Sequence, residues 1–158
     1  MIQVVMFDLG GTLIDANRLP FPDVAEALTA IGRQHTKTCL VSDFIEGLSP
    51  DEAMTQYLAI LETAGLRSFF EPVEERVTLS NHAGVGKPDA LIFSKALERL
   101  RAAAVPFADC LLITEDARHI RTVSRVLKMK TLQFGADFTD WADAPSRISA
   151  LAAEADTK

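Results

Sequence analysis

The chain has 158 residues, 48% of them hydrophobic and 24% charged, which suits one domain with a sizeable core and hardly two. Its net charge of −6 argues against a nucleic-acid partner, because phosphate backbones are bound by basic surfaces. No run approaches the roughly 20 apolar residues of a membrane span, and Met1 leads into a strand without the n-region and h-region of a signal peptide, so a cytoplasmic location with no membrane partner is expected.

The apolar run Ile2–Phe7 predicts a first strand that ends at Asp8 and a glycine turn, Gly10-Gly11. The segment from Leu13 to Lys37 is read as mostly one helix, because Val24, Ala27, Leu28 and Ile31 share a helical face. A second strand is expected over Thr36–Val41. Ser49-Pro50-Asp51-Glu52 has the pattern of an N-cap, a proline at the first helical position and a capping glutamate. It opens a helix over 50–64, which Gly65 is placed to end. The Met54, Tyr57, Leu58, Leu61 stripe of this helix reads as core.

A third strand is expected over Arg76–Leu79. Pro88-Asp89 opens another helix, carrying Ile92, Ala96 and Leu100 with Phe93 and Leu97 beside them. Strands over Cys110–Thr114 and Thr131–Phe134 follow. The tail Pro145–Lys158 predicts an amphipathic helix over about 145–155 that frays into polar residues. Cys39 and Cys110 lie in strand-like runs and read as reduced core thiols. Strand–helix alternation of this kind predicts an α/β, doubly wound, Rossmann-like parallel sheet of about five strands flanked by helices. Such sheets hold their sites at the carboxyl ends of the strands.

Polar residues gather at those ends: Asp8 with Gly11-Thr12, then Ser42, then Lys87 in Gly84-Val85-Gly86-Lys87-Pro88, then Thr114-Glu115-Asp116. The set is coherent for phosphoryl transfer: a carboxylate nucleophile, an acidic metal site, and an ammonium and hydroxyl for phosphoryl oxygens. Each residue also has a plainer reading. Asp8 suits a turn, Ser42 a local cap and Lys87 a solvated surface, while Glu115 and Asp116 suit a helix start. His35, His82 and His119 show no metal-ligand spacing and read as surface or helix residues, with His82 near enough to Lys87 to be a candidate for the site. Gly84–Lys87 is not a P-loop: Asn81 stands where its first glycine is required and Pro88 where Ser or Thr is required.

Four blocks, in order, resemble motifs of the haloacid dehalogenase (HAD) superfamily of hydrolases: VVMFDLGGTLID, TCLVSDF, GVGKPDALIF, and LLITEDARHI followed by KMKTLQFG. The resemblance covers roughly Ile2 to Gly135 and implies a HAD core. It also implies a Mg²⁺-dependent hydrolase of phosphate esters or anhydrides working through an aspartyl-phosphate. Carried over, Asp8 is the nucleophile. Ser42 and Lys87 are catalytic and hold the phosphoryl group, and Gly11 and Thr12 join them in binding substrate. Mg²⁺ would take Asp8, the Gly10 carbonyl, and Glu115 or Asp116, while Pro88 would set Lys87 at a helix edge.

Two departures stand out. Gly10 occupies the position where phosphatases of this family carry an Asp that acts as general acid and base. Thr114-Glu115 replaces Gly-Asp in the fourth motif, with His119 where a later Asp often lies. No segment is long enough for a cap domain, so an open site is expected. Capless members act on large substrates or as oligomers, so the expected partner is a phosphorylated small molecule or a macromolecular phosphate. Dehalogenation itself is not expected, since in the family it relies on cap residues. The alternative is a catalytically impaired HAD-like protein with a binding or regulatory role. A receiver-like phosphoacceptor is disfavoured by motif order.

Overall fold

A computed structural model describes residues 1–34 and 37–157. His35, the expected first strand residue Thr36, and Lys158 lie outside the described residues. The strands are β1 (Val4–Phe7), β2 (Lys37–Ser42), β3 (Val77–Leu79), β4 (Cys110–Thr114) and β5 (Lys130–Gln133). They form one parallel sheet in the order β3-β2-β1-β4-β5. The helices are α1 (Val24–Gly32), α2 (Pro50–Ala64), α5 (Ala90–Arg99), α6 (Ala117–Thr122) and α7 (Ala144–Asp156), with single turns at α3 (Val73–Arg76) and α4 (Ser80–Ala83).

The apolar strands are explained by burial on both faces. Val5 and Phe7 of β1 and Leu111 and Ile113 of β4 pack into a core closed by α1, α2 and α7. The alternate residues Val4, Met6, Cys110 and Leu112 face a second core built on α5 and Val123. This is the period-two alternation of a strand with both faces covered. Cys39 and Cys110 are free, buried thiols, as expected, and burial pushes both thiols up to about 12.

The ends of α2 follow their local chemistry. Ser49 Oγ accepts from the Glu52 N–H at 3.2 Å, and Gly65 closes the helix at φ 71°, a conformation that glycine adopts without steric cost. Two expectations need correction. Leu13–Lys37 is not mostly helix, since α1 begins only at Val24 and the chain before it is an irregular loop folded by the bridges Gly10↔Ile14 and Ile14↔Pro20. Pro20 and Pro22 account for this, because the residue before a proline is driven out of the helical region. Pro88 does not open its helix either: Asp89 is the N-cap, its carboxylate accepting from the Leu91 N–H at 2.9 Å. Among the described residues no helix is long and apolar enough to cross a membrane.

The chain builds β1, β2 and β3 outward in one direction, then returns to lay β4 against the other side of β1. The strand order therefore reverses between β1 and β4, which is where open parallel sheets form a crevice at their carboxyl edge. Phe7 is paired with both Leu40 and Ile113, so the next residue, Asp8, emerges at the middle of that edge.

Candidate active site

Asp8 leaves the sheet with its N–H donating to the Ile113 carbonyl at 3.1 Å. Its Oδ1 accepts from the Leu9 N–H at 2.9 Å and lies 2.9 Å from Lys87 Nζ. The Lys87 side chain is 1% exposed and that of Asp8 is 16% exposed. Lys87 Nζ also donates to the Val41 carbonyl at 2.8 Å. A buried ammonium persists only when paired and hydrogen-bonded, and these contacts supply both. Lys87 is held from its backbone as well, since its N–H donates to Asp43 Oδ1 at 2.8 Å. A Cβ on Gly86 would stand 2.8 Å from that same oxygen, which explains the glycine directly before the lysine.

Ser42, the last residue of β2, is buried, and its hydroxyl is 2.6 Å from the Tyr57 hydroxyl. Burial raises the Tyr57 phenol well above the ordinary tyrosine range, against the opposing Ser42 hydrogen bond, and the Asp8 charge adds to the rise. Tyr57 therefore stays protonated. Reading its stripe as core located the ring but missed the hydroxyl's contact with the site.

On the other side, β4 ends at Thr114, whose buried hydroxyl lies 3.2 Å from Asp8 Oδ2 and 3.3 Å from Glu115 Oε2. Glu115 is exposed, and its carboxylate lies against the glycine turn. Its Oε2 accepts from Thr12 Oγ1 at 2.5 Å, and its own N–H donates to Thr12 Oγ1 at 3.1 Å. Gly11 has φ 74°, and a Cβ there would stand 2.9 Å from Glu115 Oε1. These contacts correct two expected substrate-binding residues. The Thr12 hydroxyl is fully buried and engaged with Glu115, and the Gly11 N–H donates to the Ile14 carbonyl at 2.8 Å. Both build the turn and neither lines the cavity beside Asp8.

Glu115 and Asp116, inseparable by spacing, differ in place. Asp116 lines the cavity as the N-cap of α6, its Oδ1 accepting from the Arg118 and His119 N–H groups at 2.9 and 3.2 Å. Burial raises its pKa, but these two N–H bonds and the neighbouring His119 and Arg118 outweigh it and hold the carboxyl below its ordinary range. His119 also lines the cavity, with Nε2 3.7 Å from Asp116 Oδ2 and Nδ1 buried without a hydrogen-bond partner. It is a helix residue, as expected, and its place in the fourth-motif block is the sequence signal for its position at the cavity. His82 does not enter the site. Its Nδ1 accepts from the Leu79 N–H at 2.9 Å, and burial, then Arg99 and Lys95, lower its pKa to about 4.

The cavity at this edge is about 410 Å³ and is lined by Asp8, Gly10, Ser42, Lys87, Asp116 and His119, among others. The irregular loop adds Asp15 and Arg18. Asp15 Oδ1 holds that loop by accepting from the Asn17 and Leu19 N–H groups at 2.8 and 3.1 Å. A Cβ on Gly10 would meet nothing within 4 Å, so the fold does not require glycine there.

The donor set for a divalent cation is all oxygen. Thr114 has one hydroxyl proton for two nearby carboxylates, Asp8 and Glu115, which leaves spare acceptor capacity between them. Among the described residues no group of three or more His, Cys, Asp or Glu side chains forms a metal cluster. The residues fit Mg²⁺ in the manner of a site with one or two carboxylates completed by carbonyl, water and phosphate oxygens.

No family model matches the chain, and no curated protein matches it in sequence. Solved structures do match. A protein of Listeria monocytogenes serotype 4b is similar over 95% of this chain and 98% of its own, at 16% identity and TM-score 0.69. The L-2-haloacid dehalogenase of Xanthobacter autotrophicus is similar over 94% of this chain and 83% of its own, at 17% identity and TM-score 0.65. The HAD-hydrolase YfnB of Bacillus subtilis, in a magnesium-bound form, is similar over 78% of this chain and 47% of its own, at 18% identity and TM-score 0.57. The five-stranded parallel sheet and its flanking helices are thus those of the HAD-like hydrolase fold.

Proposed function

We propose that the chain is a hydrolase of phosphate esters or anhydrides that works through an aspartyl-phosphate on Asp8. The observation that carries this reading is the buried Lys87 Nζ, 2.9 Å from Asp8 Oδ1, at the carboxyl edge of the central strand. The fixed Lys87 cation draws an anionic phosphoryl group to the Asp8 carboxylate and offsets the repulsion between the two anions. An Asp8 oxygen attacks phosphorus and the bond to the leaving-group oxygen breaks. The leaving group departs with its electron pair and takes a proton from solvent. Water then attacks phosphorus, its proton passes to solvent, and inorganic phosphate leaves as the Asp8 carboxylate is restored. Lys87 and Ser42 orient the phosphoryl oxygens. Asp8 and the Gly10 carbonyl, with Glu115 or the cavity-lining Asp116, would hold Mg²⁺, which when bound supplies charge neutralisation for the phosphoryl oxygens.

Gly10 has no side chain to protonate the leaving group, so this chemistry favours aryl and acyl phosphates over alkyl phosphates. Asp8→Asn tests the proposal: hydrolysis of p-nitrophenyl phosphate should fall to background with the fold retained by circular dichroism. Undiminished turnover in that variant refutes Asp8 as nucleophile. Gly10, together with Asp116 committed to its helix cap, also favours a second reading, a binding or regulatory protein without turnover. Failure of beryllium fluoride to bind Asp8 in the presence of Mg²⁺, read by fluorine NMR, would select it.

A further inference from the structure

The cavity has a second, apolar end. Tyr57 and Ile60 lie three residues apart on α2 and therefore on one helical face. Phe44 stands edge-on to Tyr57, with ring centroids 5.4 Å apart and planes at 88°. Its backbone is fixed by the Phe44 N–H donating to Ser80 Oγ at 2.9 Å. Ile14, carried by the irregular loop, also lines the cavity. The wall is tied to the polar end through Tyr57, whose hydroxyl meets Ser42. Gly10 also lines the cavity, and a side chain there would meet nothing within 4 Å.

We propose that this cavity takes the phosphate of a small, largely apolar body about the size of an aromatic ring. The phosphoryl group sits at Asp8 and Lys87, and the body lies against Ile14, Phe44, Tyr57 and Ile60. Three observations converge on this class. The volume of about 410 Å³ falls within the range of small-molecule sites, most of which are apolar pockets with a few convergent polar groups. The apolar wall is contiguous with the anion-binding end, so one ligand of that length spans both. Gly10 lines the cavity without supplying a proton donor, and a leaving group that needs none is aryl or acyl in character. The inference rests on the phosphoryl-binding reading of Asp8 and Lys87 and adds the identity of the leaving group's body.

The test is calorimetric titration of the full chain, with Mg²⁺ present, using phenylphosphonate and methylphosphonate, neither of which can be hydrolysed. Burying the ring should make phenylphosphonate bind about tenfold or more tightly than methylphosphonate. That preference should collapse toward unity in Phe44→Ala and in Ile60→Ala, each checked for folding by thermal melting. Phe44 and Ile60 are only partly buried and come from different elements, so loss of folding in one variant leaves the other to decide. Equal affinities in the wild-type chain, or a preference that survives in whichever of the two variants folds, overturn the inference and leave the phosphoryl site standing. Binding of neither phosphonate overturns the phosphoryl reading and, with it, the inference.

Discussion

Restoring a carboxylate at position 10 separates the two halves of the proposed chemistry, the attack of Asp8 and the departure of the leaving group. The backbone at Gly10 is not in the left-handed region, and a Cβ there meets nothing within 4 Å, so Gly10→Asp is accepted without strain. The added side chain also restricts the unfolded chain, a stabilisation of about 0.4–1 kcal/mol that offsets some of the repulsion from nearby Asp8. A positioned general acid is worth about 10²–10⁴ in rate, or roughly 2.7–5.4 kcal/mol of barrier at 1.36 kcal/mol per tenfold. That gain belongs to substrates with poor leaving groups, because an aryloxide or carboxylate leaves with little help. The assay is kcat/KM across a series from aryl to alkyl phosphates. This ratio reports the step that forms the aspartyl-phosphate and excludes the later attack of water. In the wild-type chain kcat/KM should fall steeply as the leaving group becomes more basic. In Gly10→Asp the slope should flatten, with the alkyl substrates gaining by the factor above and the aryl substrates little. Equal wild-type rates across the series, or an equal gain for every substrate, would refute the leaving-group argument.

Three further outcomes follow from single contacts. Asp116→Ala removes the cap that takes the Arg118 and His119 N–H groups. It should cost about 1 kcal/mol, or about 2–4 °C in melting temperature for a chain of this size. Because the folded Asp116 titrates below the ordinary carboxylate range, this contribution is complete above that range and fades only as pH falls through the folded value. His82 accepts the Leu79 N–H at Nδ1 only when neutral, and its folded pKa of about 4 lies below the unfolded value of about 6.5. Stability from this group is therefore complete above about pH 6.5 and is lost progressively as pH falls toward 4. Melting temperature measured across that window should fall less steeply in His82→Gln than in the wild-type chain. Gly86→Ala pushes Asp43 Oδ1 off the Lys87 N–H and should cost about one hydrogen bond, about 0.5–1.5 kcal/mol, in urea unfolding. Combining it with Asp43→Ala should recover part of that loss, a departure from additivity that unrelated sites would not show.

The sheet was legible because its strands are apolar throughout, which double-sided burial demands, and because α2 carries its own start and stop in Ser49 and Gly65. The irregular loop before α1 was not legible from the Val24–Ile31 face alone, since that face says nothing about where its helix begins. At the site, Asp8, Ser42 and Lys87 were readable because strand ends bring distant segments to one edge. Glu115 and Asp116 are neighbours in sequence with the same charge, and only side-chain direction sends one against the glycine turn and the other to a helix cap. Asp43 was invisible for a different reason: its role is to hold a backbone N–H in Lys87, and no spacing rule marks such a partner. Tyr57 was assigned to the core correctly by its ring, while its hydroxyl obeys a separate requirement for a partner when buried.

The Thr114 hydroxyl has a consequence for the folded state itself. It has a single proton and two carboxylates within reach; Lys87 matches the charge of Asp8, while Glu115 meets the Thr12 and Thr114 hydroxyls and, among the described residues, no cation. A cation that binds only the folded chain shifts the folding equilibrium by RT ln(1 + [L]/Kd). A divalent cation held at this edge would then add to the stability of the folded chain, and its withdrawal would subtract the same amount.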